Sequence, residues 1–189
     1  MINKKILLPL FIVVALIQLY VPAKMILNQE EVLETGRLFK FKTAPIDPND
    51  PFRGKYITLS FDRTNVPVEV DSVWKYNEKA FAIIAEDSAG FAYPISISKE
   101  EPTEKQNYLK VTVSSTYNNQ ASINYPFTRF YMEEYKAPEA ETTYRQAQRD
   151  TATTVYALVA IKSGEAVLKD VLIDDVPIRE VVEKARKEN

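Results

Sequence analysis

The chain has 189 residues, in which 24 lysines and arginines nearly balance 26 aspartates and glutamates, and it contains neither cysteine nor histidine. The balanced charge offers no basic face for a nucleic acid. Without cysteine or histidine the chain cannot form a disulfide framework, a Ser-His-Asp triad, a Cys-His dyad or a His-based zinc site. We therefore expect no cofactor and no metal, and any catalysis would have to use carboxylates, Lys, Tyr or Ser.

The N-terminal segment has the composition of a membrane anchor. Lys4 and Lys5 precede an apolar run from Ile6 to Val21, which is near the lower limit of about 17 to 25 residues for a helical span. The two lysines favour a cytoplasmic N-terminus. We predict a cytoplasmic segment at 1–5, a single-pass transmembrane anchor in the lipid bilayer at 6–22, and an extracytoplasmic location for the rest. A cleaved signal peptide and a buried core helix are the alternatives.

The following residues predict a short helix and then a series of strands. Residues 23–36 continue as a juxtamembrane helix that ends at Gly36, and 37–189 form the extracytoplasmic domain. Alternation of apolar and polar residues predicts strands over 37–43 and 55–61. Three pairs of alternating segments, each joined by turn-forming residues, predict β-hairpins over 80–97, 108–125 and 153–173.

Two short helices complete the predicted elements. They cover 138–148, with acidic residues in the first turn, and 177–187, with Asp175 as a candidate N-cap. Hairpins dominate, and no β-α-β rhythm is visible. The predicted fold class is α+β: a mostly antiparallel, hairpin-rich sandwich or barrel-like domain with short helices and one N-terminal transmembrane helix.

The segment 43–61 combines three prolines, two aspartates and an asparagine, and an Arg-Gly-Lys triplet. The prolines restrict the backbone, and Asp47 and Asp50 can accept hydrogen bonds from nearby backbone N–H groups. Gly54 permits a positive φ, and Arg53 can pair with either aspartate. These properties favour a stiff connector that delivers a strand in fixed register. A hard-cation site formed in part by Asp47, Asn49 and Asp50 is a weaker alternative.

The end of this segment, Gly54-Lys55-Tyr56-Ile57-Thr58-Leu59-Ser60-Phe61, resembles the GDYXXLXY family of small, mostly uncharacterised bacterial envelope proteins. An aromatic-rich segment over 125–132 and the N-terminal membrane segment add to the resemblance, which covers most of the chain. Two positions depart from the family pattern: Lys55 replaces an acidic residue, and Phe61 replaces a tyrosine. The resemblance implies an architecture, an envelope location and a multi-pass membrane protein as partner, without implying a reaction.

We predict a binding or assembly module for a membrane or envelope partner rather than an enzyme, with no assigned catalytic residue. The candidate binding residues are Asp47, Asp50, Arg53, Gly54, Lys55, Tyr56, Arg129 and Tyr131. The alternative is an envelope hydrolase that uses a Lys/Ser pair or carboxylates. On a regular strand, however, Lys55 and Ser60 point to opposite sides. A purely structural envelope component is the third interpretation.

Overall fold

A computed structural model describes residues 4–45, 56–69, 73–103, 106–133, 136–150 and 152–188. Within these ranges the chain forms three helices and twelve strands. In chain order they are α1 (Lys4–Thr35), β1 (Arg37–Ala44), β2 (Tyr56–Thr58), β3 (Ser60–Phe61), β4 (Asn65–Pro67), β5 (Lys79–Glu86), β6 (Ala92–Ser98), β7 (Tyr108–Tyr117), β8 (Gln120–Asn124), β9 (Arg129–Tyr131), α2 (Ala137–Arg149), β10 (Val155–Lys162), β11 (Glu165–Ile173), β12 (Val176–Pro177) and α3 (Ile178–Glu188).

The strands form two five-stranded sheets and one two-stranded ribbon. The sheet orders are β12-β11-β10-β1-β3 and β4-β8-β7-β5-β6, and the ribbon is β2-β9. Every ladder between these strands is antiparallel. Two isolated parallel bridges, Lys40–Phe91 and Leu109–Gly164, join the large sheets into a nearly closed barrel. The predicted α+β class, with mostly antiparallel strands and a barrel-like sheet, is confirmed.

All three predicted hairpins are present, as β5–β6, β7–β8 and β10–β11. The β7–β8 turn places Asn118 and Asn119 at φ 48° and 57°, and asparagine tolerates this left-handed region better than most residues. In the β10–β11 turn, Gly164 has φ +77°, and an added Cβ would lie 2.5 Å from the Tyr108 ring. Glycine is therefore required there by both the backbone conformation and the neighbouring side chain.

The two short helices form where the pattern predicts them, but Asp175 does not cap the second. Asp174 and Asp175, at φ 48° and 64°, form the turn between β11 and β12. The carboxylate of Asp175 accepts a hydrogen bond from the Tyr156 hydroxyl and pairs with Lys40 at 3.2 Å. The capping prediction was wrong because a short strand, β12, intervenes before α3.

The strand predicted over 55–61 is divided between two sheets. β2 pairs with β9, whereas β3 pairs with β1. Leu59 lies between them and donates its N–H to the carbonyl of Thr128 at 2.8 Å. The alternation survives this change of partner, because Ile57, Leu59 and Phe61 are all buried. The segment therefore forms a corner of the barrel, where a chain passes from one sheet to another.

Four aromatic rings pack together in the core of the barrel. They belong to Phe41, Phe61, Tyr125 and Phe127, and their paired ring centroids lie 5.1 to 6.2 Å apart. The Tyr125 hydroxyl donates to the backbone carbonyl of Arg63 at 2.7 Å, and burial raises its pKa. A cavity of about 20 Å³ adjoins the Phe61 ring, with Arg63 and Asp87 in its wall. Phe61, which stands where the family motif has a tyrosine, is thus part of this cluster.

Helix α1 packs into the domain through its last turn. Val32 is buried there, and the ammonium group of Lys162 donates to Glu31 Oε1 at 2.7 Å and to Thr35 Oγ1 at 2.8 Å. An added Cβ on Gly36 would collide with the carbonyl oxygen of Val32 and would lie 3.2 Å from the backbone nitrogen of Ile161, so the helix carbonyl, together with the close approach of β10, requires glycine at the helix end. The predicted end at Gly36 is confirmed, and α1 continues into the barrel without a loop.

The earlier part of α1 is long and apolar enough to cross a membrane, as judged from its length and composition over Leu8–Thr35. Its large apolar side chains are exposed from Leu8 to Leu27. A helix that lies on the core of a soluble protein is amphipathic and has one apolar face. Over this length α1 is apolar on all sides, so it differs from such helices.

Candidate functional site

Tyr56, Arg129 and Tyr131 meet on the outer face of the β2–β9 ribbon. The ladder places Tyr56 opposite Tyr131, and Thr58 opposite Arg129. The Tyr56 and Tyr131 ring centroids are 5.4 Å apart, and the guanidinium carbon of Arg129 lies 5.1 Å from the Tyr56 ring centroid. Tyr131 is 60% exposed. We call these three side chains the Tyr–Arg–Tyr surface.

The alternation of the ribbon fixes this surface. Ile57 and Phe130 point inward and are buried, so their neighbours along each strand must point outward. The guanidinium group of Arg179, from α3, lies 5.4 Å from the Phe130 ring centroid. The inner face of the ribbon thus packs against the core, and this packing fixes the positions from which the three outer side chains project.

The chemistry of the Tyr–Arg–Tyr surface suits binding. An exposed cation over an aromatic ring contributes about 0.5–1 kcal/mol, which favours one position of the Arg129 side chain. Arg129 makes no ion pair with another residue in the described ranges. Its N–H groups can therefore pair with a carboxylate or phosphate of a ligand.

The other five predicted binding residues fall outside the part of the chain that the structure describes. They are Asp47, Asp50, Arg53, Gly54 and Lys55. The connector and the cation-site alternative lie in the same region. Ser60, the serine weighed for a Lys/Ser pair, is half-buried on β3. The structure consequently brings together three of the eight candidates.

A second polar cluster joins Lys40, Tyr156 and Asp175. The ammonium group of Lys40 lies 4.8 Å from the Tyr156 ring centroid. Burial raises the pKa of Tyr156, and its hydrogen bond to Asp175 adds to the effect. That hydrogen bond and Lys40 lower the pKa of Asp175. Hydrogen bonds to Asp175 and Tyr156 raise the pKa of Lys40. All three groups keep their usual charges at neutral pH, and their contacts hold the β11–β12 turn against β1.

A groove of about 510 Å³ opens where β7 changes partners. Thr112 pairs with Asn124 of β8, whereas the N–H of Lys110 donates to the Gly164 carbonyl at 2.9 Å. Lys110 also pairs with Glu165 at 2.6 Å, and Phe81 lines the groove. The volume is within the range of small-ligand sites, about 300–1,000 Å³. The groove could not be predicted from the sequence. Local patterns show the alternation within each strand, but they do not show that β7 pairs with Gly164.

Metal chemistry has no support within the described ranges. No group of three or more acidic side chains lies close enough together there to hold a metal ion. A hard-cation site needs several oxygen ligands around one point.

Comparison with known proteins gives one match. No curated protein and no solved structure is detectably similar to the chain. The model of a family described as "GDYXXLXY protein" matches residues 18–171, which is most of the chain. The motif residue Tyr56 belongs to the Tyr–Arg–Tyr surface, while Leu59 and Phe61 are buried in the barrel. The chain belongs to the GDYXXLXY family.

Proposed function

We propose that this protein is a single-pass membrane protein whose barrel lies outside the cytoplasm and acts as a binding or assembly module for a protein partner in the membrane or envelope. The observation that carries the proposal is the uncovered apolar helix, packed end-on into a domain that exposes the Tyr–Arg–Tyr surface.

The membrane part of the proposal is supported by α1. Its apolar side chains are exposed around the whole helix from Leu8 to Leu27, and such a helix is most stable when lipid surrounds it. Two lysines, Lys4 and Lys5, precede the apolar run, and one lysine, Lys24, lies between its end and the barrel. Lysines at the start of the span favour a cytoplasmic N-terminus and place the barrel on the other side.

The binding part is supported by the Tyr–Arg–Tyr surface. Tyrosine and arginine are enriched among residues that dominate the energetics of interfaces, because they combine apolar area with hydrogen-bond donors. Tyr131 offers an exposed ring, and Arg129 offers donors that form no ion pair within the described ranges. The matching partner would present an apolar patch beside a carboxylate.

Co-purification of the full-length protein in mild detergent, at native expression, tests the proposal. We expect one stable partner with the wild type and its loss with Tyr131→Ala or Arg129→Ala. Tyr117→Ala is the matched control, because Tyr117 is 78% exposed on a different strand, β7. Recovery of the wild type alone, or equal recovery of the partner with all variants, would contradict the proposal.

A further inference from the structure

The exposed apolar surface of α1 extends past the predicted anchor end at residue 22. Met25, Ile26 and Leu27 are 60%, 66% and 68% exposed, and no part of the described domain covers them. The 22 residues from Ile6 to Leu27 span about 33 Å as a helix. They include one charged residue, Lys24, whose long side chain can extend to the headgroup layer. The hydrocarbon core of a bilayer is about 30 Å thick. The length therefore places the lipid boundary near Leu27.

The barrel begins immediately beyond this boundary. Glu31 lies four residues after Leu27, or about 6 Å along the helix axis. The Lys162 ammonium, at the start of the β10–β11 turn, bonds to Glu31 and to Thr35. The headgroup layer on each side of the hydrocarbon is about 5–8 Å thick. The β10–β11 turn therefore lies at headgroup depth.

A polar cleft of about 330 Å³ lies beside this turn. It is lined by Gln106, Asn107, Tyr108, Ile161, Lys162 and Ser163, of which Gln106, Asn107, Lys162 and Ser163 carry an amide, ammonium or hydroxyl group. All four groups can donate hydrogen bonds to phosphate oxygens. The cleft thus has donors suited to a phosphate, and α1 places it where phospholipid headgroups are found.

We propose that this cleft binds the headgroup of a zwitterionic, ammonium-bearing phospholipid. The charge of Lys162 is already balanced by Glu31 at 2.7 Å, which disfavours an isolated anion. A zwitterionic headgroup can pair with both side chains. Its phosphate pairs with Lys162 and the amides, and its ammonium group pairs with Glu31. The acyl chains stay in the bilayer, beside the exposed apolar surface of α1 that ends at Leu27. The inference rests on the membrane anchoring in the proposed function.

Native mass spectrometry of the full-length protein, released from nanodiscs of phosphatidylethanolamine and phosphatidylglycerol, tests the cleft. We expect the wild type to retain one phosphatidylethanolamine. Gln106→Trp fills the cleft and should lose that lipid. Gln120→Trp makes the same change on exposed β8 and should keep it. Retention by Gln106→Trp, retention of phosphatidylglycerol instead, or the absence of any bound lipid on the wild type would overturn the inference.

The depth of the turn is tested independently, because the chain has no cysteine. Single cysteines at Ser163 and at Asn119 would carry a fluorophore in the full-length protein in liposomes. Lipids with headgroup spin labels should quench the label at 163 strongly and the label at 119, on the β7–β8 turn, weakly. Equal quenching would overturn the inference. Alkaline extraction separates the two proposals: release of the wild type refutes anchoring itself, whereas an anchored protein without cleft lipid refutes this inference alone.

Discussion

Replacement of Phe61 by tyrosine, the residue that the family motif has at this position, should leave the stability of the barrel within about 1 kcal/mol of the wild type. The cavity beside the Phe61 ring has a volume of about 20 Å³, and about 10–15 Å³ suffices for one water-sized oxygen. Asp87 lines the cavity, and we expect its carboxylate to accept a hydrogen bond from the new hydroxyl. Such a bond contributes about 0.5–1.5 kcal/mol, which offsets the loss of hydration.

Two control variants show how large a loss of stability to expect at this site. Phe61→Ala removes a buried ring that contacts three others, and we expect it to cost about 3–5 kcal/mol. Phe127→Tyr adds the same hydroxyl to a neighbouring buried ring that does not line the cavity. An unsatisfied buried hydroxyl costs about 1–3 kcal/mol, so this variant should be clearly less stable than Phe61→Tyr.

Urea unfolding of the full-length protein in mild detergent would measure these differences. The single tryptophan, Trp74, is partly buried against the core and reports unfolding by fluorescence. The reasoning is refuted if Phe61→Tyr loses about 2 kcal/mol or more, as expected for an unpaired buried hydroxyl. A loss similar to that of Phe127→Tyr would show that the cavity does not accommodate the oxygen.

Three further predictions concern the turns and the helix junction. Gly164→Ala should be more destabilising than Gly90→Ala in urea unfolding, because both positions have positive φ but only the former places a Cβ against a ring; equal losses would contradict this. Backbone N–H donors and Arg63 lower the pKa of Asp87, so the stability it contributes is present above about pH 3.9, its unfolded pKa, and is lost as the pH falls further. Asp87→Asn should therefore show a weaker loss of stability below pH 4, and an unchanged acid profile would refute the assignment. Lys162→Met should change stability by less than about 1 kcal/mol but broaden the distance distribution between spin labels at 28 and 119, whereas an unchanged distribution would show that the lysine does not fix α1.

Local patterns predicted the elements better than their assembly. The β10–β11 hairpin follows from alternation on both sides of a glycine-containing turn, and its residues are close in sequence. β1 pairs with β10, however, so Phe39 lies opposite Val159, far away in the sequence. No local signal specifies such a partner. The sequence also does not show that the predicted strand over 55–61 divides between two sheets at Leu59. Buried and exposed positions keep alternating across this change of sheet.

The same distinction applies to the candidate site. Tyr56, Arg129 and Tyr131 were selected as residue types suited to binding, and the β2–β9 register brings them together. Their convergence depends on a pairing across more than seventy residues. Asp175 shows the opposite case. Its position before a helix is typical of a cap, but its partners Tyr156 and Lys40 come from other strands.

The loop-free junction at Gly36 has a mechanical consequence. Transmembrane helices are tilted by about 20° on average, and if α1 crosses a membrane as we propose, a barrel continuous with it must tilt with it. Strand β7 has ten residues and therefore spans about 30 Å, so a 20° change in tilt displaces its far end by about 10 Å. A change in bilayer thickness that altered the tilt of α1 would thereby change which neighbours the outer end of the barrel can reach.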